Sequence, residues 1–176
     1  MKLIIDIGNT RTKVALFEGK KVFKTSNFYD CTLKSINKFV ANREISSTII
    51  SSVRENNSVM TDILDYYKGL ILCADTPVPI KNIYKTLNTL GKDRLAAVVG
   101  AHLLYPNKDI LVFDAGTCLT IDVINKNGEY IGGRISPGIT MRYEALHTFT
   151  DKLPLLQKEK TSSIIGNDTN SSIISG

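Results

Sequence analysis

The chain has 176 residues, 43% hydrophobic and 22% charged, with a formal net charge of +5: a globular balance that excludes disorder and allows one large domain or two small ones. Its apolar runs are far shorter than a membrane span, and no basic segment with a hydrophobic stretch and cleavage site opens it, so a cytoplasmic protein with no membrane partner is expected. Cys31, Cys73 and Cys118, widely separated and without a Cys-x-x-Cys pair, suggest neither a disulfide framework nor a zinc site, and the scattered lysines suit a nucleotide or small acid better than nucleic acid.

The first element is a buried-strand run, Leu3-Ile4-Ile5-Asp6-Ile7-Gly8-Asn9-Thr10, that ends in Asp-x-Gly with a threonine beyond. A carboxylate, a glycine and a hydroxyl at a strand end put ligand-binding groups where the backbone turns. Val14–Phe17 returns, Glu18-Gly19-Lys20 turns again, and Lys21–Lys24 makes a third strand. Leu33, Ile36, Phe39 and Val40 are spaced for one face of a helix capped by Asp30 or Thr32. Ser47–Val53 reads as a strand, and Ser58–Lys68 as a helix with Val59, Ile63 and Tyr67 on one side and Gly69 at its stop. Leu70-Ile71-Leu72 is a short strand, and Asp75–Leu90, with Pro77 and Pro79, is irregular. Asp93 can cap a helix with Leu95, Val98, Val99 and Leu103 on its apolar face, ending before Pro106.

From Ile110 the opening pattern repeats. Leu111-Val112-Phe113-Asp114-Ala115-Gly116-Thr117 is again an apolar strand ending in Asp-x-Gly, and Thr120 stands as far beyond Asp114 as Thr12 does beyond Asp6. Asn125–Gly128 turns, Tyr130-Ile131 returns to Gly132-Gly133-Arg134-Ile135-Ser136-Pro137-Gly138, and a helix runs from Ile139 to Thr150. The repeat divides the chain into residues 1–107 and 108–176. Far fewer residues follow Asp114 than separate it from Asp6, so the second half is expected to be incomplete at its C-terminus.

The chain has neither a G-x-x-x-x-G-K-[ST] loop nor a G-x-G-x-x-G turn. In the first turn Gly8 permits close backbone approach, Asn9 and Thr10 can bond phosphate oxygens, Lys13 adds positive charge, and Asp6 can hold a cation directly or through water. One copy alone would read as a polar hairpin; two matched copies favour a shared ligand. His102, His147 and Cys118 read as structural, Asp122 as facing outward from its strand, and Gly132, Gly133 and Gly138 as serving close packing or substrate contact.

Asp6–Lys13, Gly91-Lys92-Asp93-Arg94, Asp114-Ala115-Gly116-Thr117 and Gly132-Gly133-x-Ile-x-Pro-Gly138 occur in an order that resembles the type III pantothenate kinases, members of the acetate and sugar kinase, heat-shock ATPase and actin superfamily. The resemblance implies an α/β protein with two ribonuclease-H-like domains around a central cleft, the second truncated, and a cytoplasmic homodimer that phosphorylates the primary hydroxyl of pantothenate on the way to coenzyme A. It implies ATP, magnesium and a monovalent cation, potassium or ammonium.

Position by position, Asp6, Ile7, Gly8, Asn9, Thr10, Arg11, Thr12 and Lys13 correspond to the ATP phosphate loop, with Thr117 across the phosphates. Asp114 corresponds to the potassium position, and Asp6 is the candidate for magnesium through water. Gly91, Lys92, Asp93 and Arg94 correspond to the substrate element, Asp93 as proton acceptor, with Tyr84 and Thr169 as further pantothenate positions. Arg94 has the planar fork that suits a carboxylate. Two other readings stand beside the kinase: a non-catalytic accessory binder of the same fold, and an actin-like or heat-shock-like ATPase.

Overall fold

The computed structural model describes residues 1–54, 58–160 and 163–176. The chain divides into two compact units, one of Met1–Ile110 with Ile124–Gly132 and one of Leu111–Val123 with Gly133–Gly176. It is a mixed α/β protein with two sheets.

The first unit opens with strands β1 (Lys2–Ile7), β2 (Thr12–Glu18) and β3 (Lys21–Phe28), then helix α1 (Leu33–Val40), β4 (Ser47–Ser52), α2 (Ser58–Tyr67) and β5 (Leu70–Ile71). The five strands form a sheet in the order β3-β2-β1-β4-β5, antiparallel from β3 to β1 and parallel from β1 to β5. Alternation decides which side is covered. Leu3, Ile5, Val14, Leu16 and Ile50 join Ile36, Phe39 and Val40 of α1 and Met60 and Ile63 of α2 in one buried cluster. The other face carries Ile4, Asp6, Lys13, Ile49 and Ser51. Helix α3 (Lys92–Leu104) touches β4, and its buried Leu95 and Val98 lie outside that cluster, so it covers this second face.

Thr32 is the cap of α1. Its Oγ1 accepts from the Ser35 amide at 3.1 Å while Ser35 Oγ accepts from the Thr32 amide at 2.9 Å, a reciprocal capping box. Helix α2 stops through Lys68, at φ 48°, with the Gly69 amide reaching back to the Leu64 carbonyl at 3.0 Å. The left-handed residue is thus Lys68; Gly69 is small because a Cβ there would meet Leu64 and Thr48 at 3.3 Å. Ile63 is buried and Tyr67 half-buried as the periodicity indicates, while the side chain of Val59 lies outside the described residues.

The irregular stretch before α3 contains a short strand, β6 (Lys81–Asn82), and a 3-10 turn at Leu87–Thr89. Beyond α3 come β7 (Ile110–Ala115), β8 (Cys118–Ile124), β9 (Glu129–Pro137), α4 (Ile139–Thr148) and α5 (Thr169–Ser175). The second sheet has the order β6-β9-β8-β7, with β6 parallel to the first residues of β9. The local pattern misses β6, which pairs with residues far along the chain, and α5, a short polar helix capped by Asp168.

Three expectations are corrected. Asp93 is not the cap of α3: Gly91 is, and Asp93 sits inside the first turn, while Leu103 is 63% exposed and leaves the apolar face to Leu95 and Val98. Asp122 does not face outward; it is 1% exposed. A Cβ on Gly133 would fall 2.4 Å from Asp122 Oδ1, so the missing side chain at Gly133 makes the space that this carboxylate fills.

Thr32→Ala removes one half of the capping box and is expected to lower stability by about 1 kcal/mol without changing the fold, measured by urea denaturation.

Candidate functional site

The first turn is held by its own backbone. The Gly8 amide donates to the Arg11 carbonyl at 3.0 Å, and a Cβ on Gly8 would lie 3.1 Å from that oxygen. Asp6 pairs with Lys13 on β2 and with Ser51 on β4, and its Oδ1 is shielded from solvent. The Arg54 guanidinium donates to the Asn9 carbonyl, tying the chain beyond β4 to the turn. The Arg11 guanidinium lies 4.8 Å from the Tyr29 ring centroid. Thr12 is buried beside Cys31, whose thiol is pushed up by burial against the opposing pull of hydrogen bonds from Ser35 and Thr12. Asn9, Thr10, Arg11 and Lys13 remain at the surface, where a phosphate chain can meet them.

A second group forms in the same unit around the start of α3. Asp93 accepts from the Arg94 amide at 2.8 Å, and a Cβ on Gly91 would lie 2.6 Å from Asp93 Oδ1. Glycine at this position keeps room for the carboxylate. Arg94 is only 6% exposed, and its guanidinium lies 5.6 Å from the Tyr84 ring centroid. Tyr84 stacks on fully buried Tyr130, centroids 6.0 Å apart and planes 7° from parallel. Gly132, at φ 134°, passes the edge of Tyr84 where only glycine is relaxed. Gly91, Asp93, Arg94 and Tyr84 are thus brought together, whereas Lys92 Nζ donates to the Leu87 carbonyl at 3.2 Å in the 3-10 turn.

In the second unit the turn after β7 is closed by a hydrogen bond from the Gly116 amide to the Cys118 carbonyl at 2.9 Å. The Gly138 amide, at the start of α4, donates to the Thr117 carbonyl at 3.0 Å. A Cβ on Gly138 would lie 2.4 Å from both the Gly116 and Thr117 carbonyl oxygens. The Gly-rich stretch therefore serves close packing against the turn, and Asp114 and Thr117 are both exposed on it. Thr169, the first residue of α5, lies on the rim of a concavity of about 1390 Å³ lined by Tyr143, Leu146, Phe149 and Ile173.

Sequence reasoning missed Ser51, Tyr130 and Arg54. Each acquires its place through pairing or packing between distant segments. The one signal available for Ser51 was its position near the C-terminal end of a strand running parallel to β1, where α/β sheets bind ligands. Among the described residues no group of three His, Cys, Asp or Glu side chains is gathered for a metal, and no helix is long and apolar enough to cross a membrane.

The family of type III pantothenate kinases matches residues 2–176. A type III pantothenate kinase of Bacteroides fragilis is 42% identical over 178 residues, an alignment that takes in 100% of this chain and 73% of that protein. One from Phocaeicola vulgatus is 43% identical over 181 residues, with 100% and 74% covered. A solved structure from Campylobacter jejuni, assigned to the Baf family of transcriptional activators, superposes with a TM-score of 0.57 at 20% identity, over 98% of this chain and 72% of its own. That last likeness concerns the fold alone.

Gly138→Ala forces a methyl group against two carbonyl oxygens of the second turn. It is expected to cost about 1–3 kcal/mol in urea denaturation, the range for overpacking a tight site.

Proposed function

The chain belongs to the type III pantothenate kinase family, and on that premise we propose that it transfers the γ-phosphoryl group of ATP to the primary hydroxyl of pantothenate, the first step toward coenzyme A. The observation that carries the reading is the family match along residues 2–176. The geometry of the first unit supports it residue by residue.

Phosphoryl transfer through a loose transition state needs positioning and charge neutralisation more than a strong base. In the proposed arrangement the turn Asp6–Lys13 holds the ATP phosphates through Asn9, Thr10, Arg11 and Lys13, with Ile7, Gly8 and Thr12 shaping the backbone, and Thr117 is proposed as a further ATP-binding position. Asp93 orients the pantothenate hydroxyl and accepts its proton as the new ester bond forms. Its place in the first turn of α3 supports this role, because the Arg94 amide and the space left by Gly91 hold the carboxylate in one position.

Arg94 and Tyr84 form the proposed pantothenate platform, Arg94 toward the carboxylate and Tyr84 toward the chain, with Gly91 and Lys92 framing it; Thr169 is proposed as a further pantothenate position. The cation–π pair of Arg94 with Tyr84 supports a shared task for the two.

The donors present suit the cations this family reading calls for. Magnesium keeps several waters and needs one or two carboxylates plus substrate phosphates, which Asp6, with one oxygen shielded beside Ser51, can satisfy. A monovalent cation, potassium or ammonium, takes oxygen donors, and Asp114 is the carboxylate proposed to hold it. When bound, the two cations would offset phosphate charge.

The strand order β3-β2-β1-β4-β5, two antiparallel pairs followed by two parallel ones, supports a ribonuclease-H-like first domain at residues 1–107; a second at 108–176 is proposed from the repeated Asp-x-Gly turn, although Ile124–Gly132 groups with the first unit. A cytoplasmic homodimer completes the reading on the strength of the resemblance.

Asp93→Asn keeps the shape and removes the proton acceptor. It is expected to lower kcat by roughly 10²–10⁴-fold, the usual contribution of a general base, while pantothenate affinity by calorimetry changes little. Turnover retained at the wild-type rate would remove Asp93 as the base.

A further inference from the structure

Ser51 has a hydroxyl that the fold itself does not use. The residue is 8% exposed, and its Oγ has no hydrogen-bond partner among the described residues. A buried hydroxyl left in that state costs stability that alanine at the same position would not. Among the described residues Thr48 Oγ1 and His102 Nδ1 are also buried without a partner, but they stand elsewhere. Thr48 is in register with Leu3 and packs against Gly69, and the His102 ring packs against Gly128.

Ser51 is different because of its register. Parallel pairing sets it directly beside Asp6, and in-register neighbours on adjacent strands project to the same face, about 4.8 Å apart. Lys13 completes the row on the other side of Asp6. The three strands therefore present a hydroxyl, a carboxylate and an ammonium side by side. The crevice beyond the C-terminal ends of parallel strands is where α/β sheets take their ligands.

We propose that Ser51 is a further ligand-positioning residue of the Asp6 site. Its Oγ hydrogen-bonds a water of the hydrated divalent cation that accompanies ATP, so that cation is held by a carboxylate and a hydroxyl together. The chemistry suits the pair. A magnesium-bound water turns its lone pair to the metal and donates its hydrogens outward, and a carboxylate and a hydroxyl oxygen can both accept from it. The inference rests on the reading of the first turn as the nucleotide phosphate loop.

The test follows the melting temperature of the protein with a non-hydrolysable ATP analogue as Mg²⁺ is titrated, for wild type, Ser51→Ala and Asp6→Asn. Ser51→Ala is expected to keep or raise the ligand-free melting temperature, to leave metal-free affinity for the analogue unchanged, and to raise the Mg²⁺ midpoint about three- to tenfold, the loss of one hydrogen bond. Asp6→Asn raises the midpoint further. An unchanged midpoint in Ser51→Ala with a raised one in Asp6→Asn overturns the role of Ser51 and leaves the phosphate loop standing. Equal weakening of metal-free and Mg²⁺-dependent binding in Ser51→Ala also overturns it, since a structural disturbance does that. A midpoint unmoved by either variant overturns both assignments.

Discussion

The placement of β1 between β2 and β4 is the constraint on which the candidate site depends. Leu3 and Ile5 are fully buried on one face of the sheet, and burial of each such side chain is worth about 1.5–3 kcal/mol. A slip of one residue would turn both to the other face and drive Asp6 into the apolar cluster, where an uncompensated carboxylate costs several kcal/mol. Hydrophobic alternation thus fixes the register, and the register fixes Asp6 beside Lys13 and Ser51. The turn that follows has little freedom left, because its ends are pinned by Ile7 opposite Thr12 and by the bond from Gly8 to Arg11.

The absence of side chains does comparable work at other positions. Gly91 leaves room for the Asp93 carboxylate, Gly133 for that of Asp122, and Gly138 for the carbonyl oxygens of the second turn. In each case a methyl group would fall within about 2.6 Å of an oxygen, well inside van der Waals contact. Tyr84 is held in place by its stack on buried Tyr130 and by the Arg94 guanidinium near its ring. The proposed substrate residues are held by packing rather than by long flexible arms, which favours positioning over adaptation.

Much of this was legible in the sequence. Short apolar runs gave β1, β2 and β4, the helical spacing of Leu33, Ile36, Phe39 and Val40 gave α1, and the doubled Asp-x-Gly marked both turns. What escaped has a common physical cause. Ser51, Tyr130 and β6 take their meaning from partners far along the chain, and no local period encodes pairing of that kind. Asp122 was misjudged because a polar residue on a strand normally faces solvent, and the space made for it lies across the sheet at Gly133. Asp93 has the residue type of a cap, but the helix begins at Lys92 and Gly91 takes that position instead.

Product identification tests the central claim most directly. The protein, incubated with ATP, Mg²⁺, K⁺ and pantothenate, should yield one phosphate monoester on the primary hydroxyl, seen by phosphorus NMR and by mass, with ADP formed in equal amount. ATP hydrolysis that ignores pantothenate, or a phosphate placed on any other group, would contradict the account.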